Sequence, residues 1–218
     1  MKKLATIILA LFVVHPALAD APAPLSPELK AFLARPDQEN AYVGMMMRQW
    51  QISVPSCPSP QIKNIAVLVD HTPTFDKSGL PVSGQWRVIG YAEGCNESRI
   101  FNMYYGFSPD GKMTRIALLP GTTRADLTLQ RDSLMYAMMG MAKLTPKGCK
   151  DIHFTDTKFI GYGKANPQAM SGREKRSWTE KWTIRTCGVT GVVSMRFVPD
   201  ATGTTILTDA SKTRQISP

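Results

Sequence analysis

Two scarce residues, set at one distance twice, limit the folds open to this chain more than any other feature. Trp86 stands nine positions before Cys95, and Trp178 stands nine positions before Cys187. The whole chain of 218 residues has only four Trp and four Cys. The two pairs are offset by 92 positions, and so are Cys57 and Cys149. Met46 and Met47 fall on Met138 and Met139 at the same offset. Downstream, Phe107-Ser-Pro-Asp110 answers Phe197-Val-Pro-Asp200 at an offset of 90, which puts two extra residues in the first copy, in the loop after its second Cys. This agreement reads as an ancient tandem duplication. Copy 1 covers 37–124 and copy 2 covers 125–218, after a Pro-rich segment and first helix at 20–36.

Four cysteines allow three pairings. A repeated unit keeps what its own core cannot lose, so the duplication selects Cys57–Cys95 and Cys149–Cys187. Each bridge closes a loop of 38 residues and should contribute roughly 3–4 kcal/mol by restricting the unfolded chain. For a unit with so small a core that is a large share of the total.

The compartment follows from the first residues. Lys2 and Lys3 precede an apolar run, Leu4–Val14, that is too short to span a bilayer, and Ala17-Leu-Ala19 supplies small residues for a signal peptidase. A signal peptide at 1–19, cut between Ala19 and Asp20, predicts a periplasmic or secreted chain in which paired cysteines persist. Losing Lys2 and Lys3 lowers the formal charge from +9 to +7. Such a balance points to an anionic surface, a glycan or an envelope protein as partner. The charges are scattered, and the densest run, 172–181, also carries two Glu. No basic stripe interleaved with aromatics is present, which argues against nucleic acid.

Periodicity predicts the same elements in each copy. Helical stretches are expected at 26–35 and Asp37–Trp50, and again at Arg131–Leu144. Strands are expected at 62–70, 86–92 and 112–119, and at 152–163, 178–186 and 202–208, with another strand after each second Cys. The fold class is therefore α+β: two divergent repeats, each a helix plus a four-stranded, mainly antiparallel sheet. Trp86, Trp178, Phe107 and Phe197 are the expected core aromatics, with each Trp packed between sheet and helix close to its crosslink. The segment 20–27 is expected to be a mobile linker, and the polar tail 209–218 is expected to fray.

The pattern Trp178-Thr-Glu180-Lys-Trp182, then Cys187-Gly188 and Phe197-Val-Pro-Asp200, resembles small exported proteobacterial proteins of unknown function. It covers about 30 residues. The resemblance implies export and a β-rich C-terminal region, and it implies no activity.

Few residues carry chemistry. No phosphate loop, Cys-x-x-Cys, His-Glu-x-x-His or nucleophile elbow occurs, so no catalytic residue and no cofactor is assigned. His71 with Asp70 and Asp76 has metal-ligand chemistry without compact spacing, and an exposed loop is the simpler reading. Strand alternation places Glu180 on one face with Trp178 and Trp182. A carboxylate buried there without a partner could act as an acid or receive a cationic or sugar ligand; a salt-bridged Glu is the plainer alternative. Met135, Met138 and Met139 share a helical face that could hold Cu(I), but that face reads more simply as core. The expected function is non-enzymatic: a binding or assembly protein of the cell envelope. An envelope-polymer hydrolase using Glu180 and a Met-based copper protein are the alternatives.

Overall fold

The computed structural model describes residues 25–170 and 174–217. The expected signal peptide, its cut site and most of the Pro-rich linker lie outside the described residues. Helix α1 (Pro27–Leu33) starts on Ser26, whose hydroxyl accepts the Leu29 amide, with Pro27 in the first turn. Pro36 opens α2 (Pro36–Ser53). Four antiparallel strands follow in the order β1 (Gln61–Phe75), β2 (Pro81–Gly94), β3 (Glu97–Phe107) and β4 (Met113–Ala117). Copy 2 repeats the plan. Helix α3 (Leu127–Met141) is capped by Asp126 and leads into β5 (Ile152–Ala165), β6 (Arg176–Thr186), β7 (Val189–Pro199) and β8 (Thr204–Thr208). The disulfides are Cys57–Cys95 and Cys149–Cys187, one per repeat. The chain is thus an α+β protein of two tandem repeats.

Strand register bears out the 92-residue offset and corrects one detail. Trp86 opposes Tyr105 and Trp178 opposes Phe197; Gly94 opposes Glu97 and Thr186 opposes Val189. The loops after the second cysteines therefore have equal length, and the two-residue insertion expected there is absent. Tyr105, not Phe107, holds the place of Phe197; Phe107 is only half-buried. Copy 1 does have one extra residue, in the β3–β4 turn. Five residues separate the pair Phe107–Met113, against four for Pro199–Thr204. The Phe-x-Pro-Asp likeness is a likeness of turns, in which Asp110 and Asp200 each accept local hydroxyl bonds. The second cysteines themselves sit in left-handed backbone, at φ 49° for Cys95 and 44° for Cys187, followed by Asn96 and Gly188 at 64° and 86°. Two consecutive residues with positive φ suit the tight turn that twisted antiparallel strands need.

The inner faces of both sheets carry the core. Trp86 stacks on Tyr105 at 5.2 Å and meets Phe32 of α1 edge-on at 6.0 Å, while Trp178 stacks on Phe197 at 4.9 Å. Neither Trp lies by its crosslink, because nine extended residues span about 30 Å. The indole beside the first disulfide is Trp50 of α2, which donates from Nε1 to the Cys57 carbonyl at 2.6 Å. The copies fill the middle of the core differently. Gly90 leaves room for Met46, whose thioether would overlap any Cβ there, and copy 2 has Trp182 at the equivalent position. Opposite, α3 buries Ala137, Gly140 and Met141, and Gly140 lies so close to Val193 that a Cβ would collide. Met135 and Met139, expected in the core, are instead 68% and 61% exposed. The small residues let α3 approach the sheet on another face and turn those methionines outward.

The tail does not fray. After a short 3-10 turn at Ala210–Lys212, β9 (Arg214–Ser217) pairs with Thr190–Val192 of β7, a stretch that the five-residue β8 leaves uncovered. The second sheet therefore has five strands.

A strap, residues 118–125, joins the halves. The Leu118 and Gly121 amides donate to the Asn102 and Ile100 carbonyls of β3. The Thr122 amide donates to the Thr157 carbonyl of β5 at 2.6 Å, and Phe159 donates back to Thr122 Oγ1 at 3.0 Å. Gly121 has φ 100°, and a Cβ on it would collide with the Thr157 backbone. Helix α2 packs against β5 beside the strap. Replacing Cys149 and Cys187 together by Ala should lower stability by roughly 3–4 kcal/mol, the entropy of a loop of this length. Urea unfolding followed by tryptophan fluorescence measures the loss.

Candidate functional site

The sequence placed Glu180 between two indoles, and the structure does so with no room left. Glu180 and Trp182 are fully buried and Trp178 nearly so. Trp178 Nε1 and the Arg124 amide donate to Glu180 Oε1, each at 2.8 Å, and Trp182 Nε1 donates to Oε2 at 2.7 Å. The partners are indole and strap N–H groups rather than a Lys or Arg. Three charge-assisted bonds fill the carboxylate's inner sites. The trio of Trp178, Glu180 and Trp182 clamps the strap onto the second sheet and presents no surface to a ligand.

The other candidates disperse. Asp70 takes a bidentate grip from Arg87, at 3.0 and 3.1 Å. Asp76 folds its own loop, accepting from Ser78 N and Oγ and from the Leu80 amide, bonds that hold its pKa below the usual carboxylate value. His71 is exposed. Among the described residues no group of three or more His, Cys, Asp or Glu is placed to hold a metal ion. Met45, Met46 and Met141 are core, while Met138 is half-buried.

The feature that sequence reading missed is the outer face of the second sheet. Residues opposed across strands share a face, so the registers lay it out row by row. One row is Lys158, Lys181 and Ser194; the next is Asp156, Thr183, Val192 and Arg214. Arg185 stands opposite Thr190, and Arg196 opposite Thr179. Five cations, Lys158, Lys181, Arg185, Arg196 and Arg214, thus point away from the core. None forms an ion pair with a described residue. Lys158 and Lys181 face each other directly, an arrangement that costs stability in a sheet. The acid within these rows is Asp156, whose pKa is raised by burial against the opposing pull of Arg99 and Lys158. At one end a groove of about 580 Å³ opens over Thr179, Ser194, Arg196 and Thr208, with Lys212 and Asp209, which pair with each other at 3.1 Å, also in its lining.

Copy 1 lacks this face. Ninety-two positions before Lys158, Lys181, Arg185 and Arg196 stand Ala66, Ile89, Glu93 and Tyr104. The shared frame has been charged in one copy alone. Sequence reading saw scattered charges because the five lie on four strands between 158 and 214. Comparing the copies at outward positions would have exposed them. Within the run that looked densest, Arg176 grips Glu174 at 3.0 Å, lowering its pKa to about 2, and stacks 3.6 Å over the Tyr162 ring, so that of its cations Lys181 belongs to the outer face.

No family of known proteins, no curated protein and no solved structure matches the chain.

Glu180→Gln replaces an acceptor oxygen by a donor among three buried N–H groups. Stability should fall by about 2–3 kcal/mol with the fold retained, measured by urea unfolding and near-ultraviolet circular dichroism.

Proposed function

We propose that this chain is an exported, disulfide-braced binding or assembly protein of the cell envelope that docks on an anionic partner through its second sheet. The observation behind this reading is the set of five unpaired cations on one sheet face, at positions where the sister copy is largely uncharged. A folded chain keeps opposed lysines at a cost, and an anionic partner offsets that cost by neutralising them. The leader-like N-terminus supports export, and two disulfides suit an oxidising, non-cytoplasmic compartment. Among the described residues no helix is long and apolar enough to cross a membrane. The face is broad and carries hydroxyls rather than stacking rings, which suits phosphate or carboxylate groups on a surface better than the bases of a nucleic acid. The sealed carboxylate at Glu180 lends no support to a hydrolase.

Vesicles containing an anionic phospholipid serve as the probe. The protein should sediment with them and not with neutral vesicles, and added salt should release it. Reversing two charges, Lys181→Glu with Arg196→Glu, should weaken binding by about tenfold or more, since each cation near such a surface is worth about 1 kcal/mol. Equal retention by neutral vesicles, or by the double variant, would remove this face from the function.

A second reading has one observation behind it. Met135 and Met139, one helical turn apart, both stand in solvent, and thioethers are soft donors for Cu(I). Calorimetric titration with Cu(I) under reducing conditions should show stoichiometric uptake that Met135→Leu with Met139→Leu abolishes. Uptake unchanged by the double variant would close this reading.

A further inference from the structure

Strand β1 is the outer edge of the first sheet. Its backbone pairs with β2 on one side and, among the described residues, with nothing on the other. The equivalent strand of copy 2 is not bare. The strap bonds to β5 at Thr157 and Phe159, and α2 packs against the same strand. The duplication therefore has one edge closed by the neighbouring copy and one edge open. An open edge is a template for another strand, and proteins commonly blunt it with bulges, charges or proline. Here the register shifts at 62–64, 69–71, 71–74 and 74–75, and Pro73 stands in the strand, but none of these falls within 64–69. From residue 64 to residue 69 the register with β2 is unbroken. Ile65 and Val69, on the core-bearing face, are 43% and 40% exposed, and Ala66 is exposed on the opposite face. Apolar groups thus flank the open edge on both sides.

We infer that this edge pairs with the same edge of a second copy of the chain, antiparallel about a two-fold axis through Val67. The sequence is self-complementary about that point. Ile65 opposes the partner's Val69, and Ala66 opposes the partner's Leu68, so apolar groups meet on each face. Lys63 and His71 lie outside the unbroken run and Asp70 stays on Arg87, so no like charges meet within it. Moving the axis by one residue in either direction loses this match. An axis at Ala66 sets Lys63 against the partner's Val69. An axis at Leu68 sets Ala66 against the partner's Asp70. A slip of odd length would bring core-face residues opposite outer-face residues. The contact is isologous, so every side chain in it acts twice.

Sedimentation velocity of the intact chain tests the pairing. The wild-type protein should dimerise reversibly, and its amides within 64–69 should gain hydrogen-exchange protection as concentration rises. Ile65→Lys and Val69→Lys alter exposed positions and place two new charges in the seam. Each should raise the dimer dissociation constant by more than about tenfold, or 1.4 kcal/mol. Lys181→Glu, on the other sheet, should leave dimerisation unchanged. A wild-type chain that stays monomeric up to its solubility limit overturns the inference and leaves the edge for a foreign strand. A dimer indifferent to both lysine variants overturns it too. If the variants fail to fold, the exchange pattern of the wild type decides: no concentration-dependent protection at 64–69 refutes the pairing.

Discussion

The Glu180 carboxylate is the contact on which the union of the two halves depends. It sits in the core of copy 2 and accepts three N–H groups, two from indoles of its own strand and one from the strap that arrives from copy 1. A charge so placed is tolerated only when its hydrogen bonds are complete. Its demand for donors fixes both indoles and draws the strap over β5, where the Thr122 and Thr157 bonds complete the seam. Gly121 permits that approach because any side chain there would strike the β5 backbone. The equivalent position in copy 1 is Val88, an ordinary core residue. Glu180 and Trp182, where copy 1 has Val88 and Gly90, thus give the second copy an anchor for the first.

The repeats show which parts of the module were free to diverge. Inner positions changed in compensating sets. Gly90 makes room for Met46 of α2, and Gly140 makes room for Val193 of β7, because a close-packed core keeps its volume. Outer positions obey no such constraint. Water solvates whatever stands there, so Ala66, Ile89 and Tyr104 of one copy stand where the other has Lys158, Lys181 and Arg196, on the same frame. The result is one fold with two unlike surfaces, one cationic and one with an apolar flank along an open edge.

That division explains why the residues with the most eye-catching local chemistry are structural. Glu180 with its two Trp, and Asp76 in its loop, each satisfy polar groups of their own neighbourhood. The residues free to meet a partner are ordinary lysines, arginines and aliphatics that gain meaning only as a group.

The amino-acid sequence by itself determined the duplication, the disulfide pairing, the order of helices and strands, and the alternation that sets Trp178, Glu180 and Trp182 on one face. These follow from spacing and periodicity, which are properties of the chain as a line. Only the tertiary structure decided whether Glu180 was open or sealed, because its third donor comes from Arg124, 56 positions away. It also decided that Tyr105 rather than Phe107 meets its Trp, that Met135 and Met139 face water, that the tail completes the second sheet, and that five dispersed cations share a face. Each of these depends on which strand lies beside which and how closely a helix approaches, and no local pattern encodes either.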